Sequence, residues 1–319
     1  MVLKVKEIKR VKHWCQIWTI ILLLLPCLFV YLLNLYLEKY HMILVQSEHS
    51  MIIFIGVCIF VVCIYVILVY FCIIKQNKKY CKYYKEYFVL EILRQYFNNL
   101  IYKTNAGISK KAIADTGAIY MGERFSSNDY ISGKYKDVDF KQSDIHLEKQ
   151  RHLYLSGKEE NIKITYYTTL FKGRWMIFDF NKNFKANVCI YEEGFSNRRI
   201  NSLFSFGKYK KVNLESSEFN SNFNVYAVDE EEAFYIITPH LMEKISKLNE
   251  ACSGKLILCF TNNKLHVGLD NRFDSFEAPS YFKIFNEKEA IKSINKDAML
   301  ITMIIDELGL DVDLFKDKV

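Results

Sequence analysis

Met51–Ile74 reads MIIFIGVCIFVVCIYVILVYFCII, a run without one charged side chain. A bilayer's hydrocarbon core is about 30 Å thick and takes about 20 helical residues to cross, because only a helix satisfies its own backbone groups there. This stretch meets that length with almost wholly apolar residues. Gln16–Leu37 (QIWTIILLLLPCLFVYLLNLYL) meets it less ideally, since Thr19, Pro26 and Asn34 interrupt it. Proline is tolerated in membrane helices where neighbours and local distortion accommodate the freed carbonyl. The expectation is two N-terminal transmembrane helices, residues 16–37 and 51–74, joined by a short external loop, residues 38–50.

A secretory signal peptide is the rival reading of the first segment, because Lys4, Lys6, Lys9, Arg10 and Lys12 resemble a charged leader start. The apolar run is longer than a leader's, and bulky Tyr31, Leu32, Leu33, Leu35 and Tyr36 stand where cleavage wants small residues. The segment is therefore expected to remain. Orientation follows from the basic residues, which are retained on the cytoplasmic side. Five lie in the N-terminal stretch 1–15, only Lys39 lies in the loop, and Lys75, Lys78, Lys79, Lys82 and Lys85 follow the second helix. Both termini are expected in the cytoplasm.

The formal charge of +7 belongs to these flanks. Residues 1–86 hold eleven basic and four acidic side chains, which leaves 32 of each for residues 87–319. A neutral domain lacks the global electrostatic footprint of a nucleic-acid binder, so no nucleic acid is expected as partner. The lysine cluster Lys75, Lys78, Lys79, Lys82 and Lys85 is placed either to meet anionic lipid headgroups or simply to set topology.

Six of the nine cysteines, Cys15, Cys27, Cys58, Cys63, Cys72 and Cys81, lie in or beside the membrane segments, and Cys189, Cys252 and Cys259 lie beyond. No C-x-x-C pair occurs, so neither a zinc ribbon nor a redox motif is signalled, and reduced thiols are expected.

After the second span, residues 75–103 lack glycine and proline. They space Tyr83, Tyr87, Leu90, Leu93, Phe97 and Leu100 by three and four, which predicts an amphipathic stalk helix. Residues 104–319 then read as an α+β domain. A loop carries a short helix from its N-cap Ser109 to about Ala114. Tyr135–Lys149 (YKDVDFKQSDIHLEK) alternates on either side of a break near Gln142, which predicts two antiparallel strands. Ile162–Phe180 is aromatic and β-branched and is divided at Lys172-Gly173, as in a hairpin or a bulged strand. Val188–Tyr191, Asn224–Val228 and Ala233–Ile237 read as short strands. Pro239 opens a helix capped by Thr238. Lys255–Leu269 (KLILCFTNNKLHVGL) is a hairpin around Asn262-Asn263, and Glu287–Leu308 is a closing helix.

No Walker loop, dinucleotide fingerprint, nucleophile elbow or metalloprotease helix occurs, so no catalytic, cofactor-binding or metal residue is assigned. His146 and His152 read as surface residues at or beyond a strand end. Asp229–Glu232 reads as a solvated turn, and Asp306, Glu307, Asp311 and Asp313 as a solvated end. Lys172, Arg174 and Trp175, two cations and an aromatic at a supposed hairpin tip, are the candidate contact for a partner carboxylate, phosphate or headgroup.

Four ordered blocks, Asp129–Lys149, Thr169–Phe184 (TLFKGRWMIFDFNKNF), Ser216–Ile245 and Lys255–Leu269, together with the two membrane helices, resemble the bacterial family catalogued as domain of unknown function 3137 over about residues 80–280. The resemblance implies a membrane-anchored bacterial protein and carries over no activity, cofactor or catalytic residue. Its members are often encoded near LemA-type membrane proteins, which hints at a shared complex. The expectation is a multi-pass inner-membrane protein, not an enzyme, whose cytosolic domain binds a protein or lipid partner. The alternatives are a tethered enzyme with a site assembled from distant residues, or a small oligomeric transport subunit.

Overall fold

The charge-free runs at the start of the chain both fold as helix. The computed structural model describes residues 2–39, 48–156, 161–179, 184–195, 209–280 and 283–311. The chain divides into two units: Met1–Phe88 with Ala278–Ala290, and Val89–Glu277 with Ile291–Val319.

The first unit is built on α1 (Val2–Lys39) and α2 (Glu48–Tyr83). The predicted loop is shorter than 38–50, because both helices run into it, and residues 40–47 lie outside the described ones. Among the described residues, one helical stretch, Phe60–Leu93, is long and apolar enough to cross a membrane. Lys12 Nζ donates to the carbonyl of Ser280 at 3.0 Å and sits 5.0 Å from the centre of the Tyr80 ring, and Lys9 pairs with Glu287 at 3.7 Å. These contacts tie the 278–290 segment to the helices.

The predicted stalk helix stops early. α2 passes into a π-helical segment, Tyr84–Val89, and ends through α3 (Leu90–Leu93), while Asn98–Lys103 is strand β1. Asn99 adopts φ 51°, a left-handed conformation that breaks a helix. The π turn adds a residue and rotates the face: Tyr80, Tyr84, Phe88, Ile92 and Leu93 are buried, whereas Tyr87 of the predicted stripe is exposed.

The described residues of the second unit form a nine-stranded sheet, ordered β1-β2-β3-β4-β9-β8-β5-β7-β6, and every pairing among them is antiparallel. Between β1 and β2 the chain forms α4 (Lys110–Ala114), whose N-cap Ser109 accepts from Ala112 N–H as expected. β2 (Arg124–Tyr135) turns through Lys136-Asp137, both at positive φ, into β3 (Val138–Ser156). That is the geometry of a two-residue primed turn, which matches the twist of the strands it joins. Gln142 is no break. It and Asp144 continue the Val138–Phe140 face with polar side chains, while Ile145 and Leu147 fill the opposite face, and residues 142–145 are all buried. A polar stretch inside a doubly buried strand imitates a turn in sequence.

β4 (Asn161–Asp179) is likewise one strand. Its irregularity lies opposite Leu147 and Glu148 of β3, which face Phe171 and Thr169 and leave Leu170 bulged. Of the two readings offered for Ile162–Phe180, the bulged strand is therefore the nearer. Gly173 marks a close approach, since a Cβ there would strike the carbonyl oxygen of Leu269.

β5 (Val188–Glu192), β6 (Lys210–Val212), α5 (Ser217–Asn222) and β7 (Phe223–Ala227) follow. The predicted strand Ala233–Ile237 is instead helix α6 (Glu230–Ile236). Asp229 caps it by accepting from Glu231 N–H, and three glutamates in the first turn suit the positive helix end. The acidic run is thus a helix start, and Glu232 is buried, accepting from Lys185 N–H at 3.1 Å. α7 (Pro239–Ala251), the hairpin of β8 (Lys255–Thr261) and β9 (Lys264–Asp270), and α8 (Glu287–Leu308) stand where the sequence put them. Asp306 and Asp311 pair with Lys136 at 2.8 and 3.7 Å, whereas Asp313 lies outside the described residues.

One face of the sheet packs Ile145, Leu147, Phe171, Trp175, Ile177, Cys189, Ile257 and Cys259 against Ile108, Ile113, Ala118 and Ile119. Cys189 and Cys259 stand opposite each other across β5 and β8, Cα atoms 4.2 Å apart, and are joined as a disulfide. No local signal in the sequence announces that these two cysteines meet, because they are 70 residues apart. The other face buries Phe140, Met176, Phe178, Ile190, Leu258 and Val267, with the polar Gln142, Asp144 and Arg174 among them.

Candidate functional site

Lys172, Arg174 and Trp175 lie mid-strand in β4, not at a hairpin tip. Arg174 is 2% and Trp175 0% exposed, so neither is placed to touch a partner, and only Lys172 reaches the surface, paired with Asp274 at 3.3 Å. Trp175 donates its indole N–H to Nδ1 of His266 at 3.2 Å. A His that accepts at Nδ1 is neutral there, and burial, helped by Lys264, lowers its pKa to about 4.

Arg174 is the centre of the polar row. β-sheet register sets Asn128, Asp144, Arg174 and Leu269 side by side on four adjacent strands. Arg174 Nη2 donates to Gln142 Oε1 and, at 2.8 Å, to the carbonyl of Asp297 on α8, and Nη1 lies 3.5 Å from the Asp297 carboxylate. The Phe276 ring centre is 5.5 Å from the guanidinium. Asp144 accepts from the backbone N–H of Ser275 at 2.6 Å and from its hydroxyl at 3.0 Å. Burial pushes the Asp144 carboxyl up to about 7, against the pull of Arg174 and Ser275. Asp129, buried at a bulge of β2 with φ 54°, accepts from the Tyr102 hydroxyl at 2.7 Å. Burial and the neighbouring Asp129 raise the Tyr102 pKa, which keeps the phenol a donor.

The cluster sits in the interior, and its reach is structural. It pins α8 and the 271–277 loop to the sheet, with Phe276 N–H donating to Asp297 at 3.2 Å and Arg272 N–H to the Lys172 carbonyl at 2.8 Å. No spacing signal announces it, because its members come from β1, β2, β3, β4, a loop and α8.

The exposed mixture of aromatic and cationic groups expected at Lys172 occurs instead on the outer halves of β3 and β4. β2 pairs with β3 as far as Glu148, and β9 pairs with β4 from Arg174 onward. Among the described residues, Lys149–Ser156 and Asn161–Thr168 pair only with each other, as a two-stranded ribbon. Leu153 faces Ile164 and Arg151 faces Tyr166 on one side, and His152, Tyr154 and Lys163 occupy the other. Leu153, Tyr154, Ile164 and Tyr166 are exposed, Tyr154 by 66%. The described ribbon carries Lys149, Arg151, His152 and Lys163 and no acidic residue. Arg124 stacks on Tyr167 at its base, 3.4 Å from the ring centre. His146 and His152 are thus inside β3, bonded to Thr169 and Thr165, both at 3.1 Å, not beyond its end.

Of the five juxtamembrane lysines, Lys75, Lys78, Lys79 and Lys82 are exposed and Lys85 is buried. Lys85 is thereby removed from any headgroup contact.

Residues 169–310 match the family described as protein of unknown function (DUF3137). That segment belongs to the DUF3137 family. It takes in the inner half of β4, strands β5–β9 and helices α5–α8, and so includes Arg174, Ser275 and Asp297 but not Asp129, Gln142 or Asp144. Three of the four blocks that carried the resemblance lie inside the DUF3137 segment, and Asp129–Lys149 lies outside it. A comparison with curated proteins found no match. Among solved structures, the crystal structure of the mycobacterial trehalose monomycolate transport factor A, TtfA, is similar over 67% of this chain and 93% of that chain, at a TM-score of 0.35 and 8% identity. A likeness that distant carries no functional argument.

Proposed function

We propose that the chain is a non-enzymatic, membrane-anchored docking protein, in which α1 and α2 form an inside-to-inside hairpin of the inner membrane and the sheet unit meets a protein partner on the cytoplasmic side. The observation that carries the reading is the exposed apolar surface of the helices. Phe60 (66%), Val62, Val66, Leu68 and Phe71 on α2, with Leu24, Leu25, Leu28 and Tyr31 on α1, are uncovered. So large a contiguous apolar surface is foreign to a water-soluble unit and suited to lipid. The basic residues before α1 and after the apolar part of α2 support cytoplasmic termini.

Within the sheet unit the β3–β4 ribbon is the surface that fits a partner. Among the described residues it has two unpaired edges, an apolar patch and excess positive charge, which together suit an acidic protein surface with apolar groups of its own. The experiment is photo-crosslinking from Tyr154 and Tyr166 in native membranes. One reproducible protein adduct, lost when Leu153 and Ile164 are both changed to Asp, supports the reading. Adducts to lipid alone, or none at all, would remove the protein partner. Extraction of the chain by alkaline carbonate would remove the anchor.

A further inference from the structure

Beyond the anchor itself, the first unit holds a cavity. Glu7, Arg10, Val11, Trp14, Cys15 and Trp18 recur at helical spacing along one face of α1, and Gln76, Lys79 and Tyr83 along one face of α2. Together they enclose about 470 Å³, within the roughly 300–1,000 Å³ of small-molecule sites. The floor is fixed, because Cys15 Sγ donates to Gln76 Oε1 at 3.3 Å. The lone carboxylate is already engaged, since the Tyr83 hydroxyl donates to Glu7 at 2.8 Å. Arg10 and Lys79 are exposed and enter no ion pair among the described residues, and Trp14 and Trp18 are half exposed.

We infer that this cavity binds the headgroup of an anionic phospholipid, with Arg10 and Lys79 on the phosphate and Trp14 and Trp18 against the glycerol and upper acyl chains. The inference rests on the hairpin proposed above, which sets the cavity at the cytoplasmic edge of the bilayer. The apolar run of α1 begins at Gln16 and that of α2 ends at Ile74, so both faces cross the depth where headgroups lie. Tryptophan favours that depth, and arginine forks onto phosphate oxygens with two parallel N–H bonds. Lys9 is paired with Glu287, and the flanks add Lys75, Lys78 and Lys82 against Glu7 and Glu86, so the surrounding field is positive. A basic cavity with an aromatic wall at this depth complements a phosphodiester tethered to acyl chains better than it complements a free anion, which has no use for the indoles.

The test uses the full chain in phosphatidylcholine vesicles containing a minor share of phosphatidylglycerol, with bromine on the acyl chains of one lipid or the other. Trp14 and Trp18 report, and Trp175, buried in the sheet, gives a constant background. Brominated phosphatidylglycerol is expected to quench more than brominated phosphatidylcholine at equal mole fraction. Arg10→Gln and Lys79→Gln each reduce that preference about 5-fold, while Lys78→Gln and Lys82→Gln, which act only through the surrounding field, reduce it clearly less. Equal quenching by the two lipids, or equal loss in the Lys78→Gln and Lys82→Gln controls, would overturn the site while leaving the anchor standing. Abolition by millimolar inorganic phosphate would overturn it in favour of a soluble anion. Absence of quenching by either lipid would overturn the anchor and the site together. If the Gln variants fail to insert, the wild-type preference and the phosphate competition still decide.

Discussion

Arg174 stands directly across from Asp144 in the β3–β4 register, and both are buried beneath the loop and helix that supply Ser275 and Asp297. The guanidinium compensates carboxylates from two different elements, so the pair works as a clamp on the C-terminal helix.

Removing Arg174 takes the cation from the Asp297 carboxylate and the hydrogen-bond donor from Gln142. Arg174→Met is expected to destabilise the sheet unit by about 3–5 kcal/mol, and the double replacement Arg174→Met with Asp144→Asn by clearly less. Urea denaturation followed through Trp175 measures both. Equal losses in the single and double variants would show that Asp144 does not depend on Arg174.

Asp144 and His266 give opposing pH dependences. The Asp144 carboxyl is raised from 3.8 to about 7, so across that window the native state keeps a proton that the unfolded chain has lost, and stability falls as pH rises. The His266 imidazole is lowered from 6.5 to about 4, so between those values the unfolded chain holds a proton that the native state lacks, and stability rises with pH. The two slopes offset each other between about pH 4 and 6.5. In Asp144→Asn the rising slope stands alone, at up to about 1.4 kcal/mol per pH unit. Urea midpoints across this range test it, and an unchanged profile in the variant would refute the assignment.

Gly268 lies opposite Trp175 in the β4–β9 register, and a Cβ on it would come 2.8 Å from the indole ring. The neighbour is a rigid aromatic in a packed core. Gly268→Ala is therefore expected to cost about 1–3 kcal/mol, partly recovered when Trp175→Phe is added. Thermal melting of the three variants checks the order.

Cys189 and Cys259 test the orientation. Cytoplasmic thiols are held reduced, whereas the two sulfurs meet across neighbouring strands and are fully buried. Protein trapped in acid from intact cells, then denatured and alkylated, is expected to yield both cysteines modified, with the linked peptide forming in air after purification. Recovery of the linked peptide from the trapped cells would put the sheet unit on an oxidising side and reverse the proposed hairpin.

The parts of the fold that were legible are those with a local cause. Ser109 and Thr238 cap their helices through their own side chains, Asn262 takes the left-handed turn between β8 and β9, and the apolar spacing of Glu287–Leu308 marks a helix with a single buried face. The misreadings share a different cause. Gln142 and Asp144 look like a turn because their burial is compensated by Arg174, Ser275 and Asp297 from elsewhere in the chain. The aromatic run Ala233–Ile237 looks like a strand until the cap at Asp229 is given its weight. Asn98–Lys103 carries the tail of a helical pattern, yet pairs with β2.

The same division holds for function. The amino-acid sequence by itself determined that the two charge-free runs form helix, the positive flanks, the neutral α+β domain and the likeness to a family, because length, charge and periodicity are properties of neighbouring residues. Only the tertiary structure decided that Arg174 and Trp175 are interior, that the exposed aromatic and basic surface is the β3–β4 ribbon, and that Arg10 and Lys79 share one cavity. Those facts depend on strand register and helix pairing, which bring together residues whose separation along the chain carries no signal of their meeting.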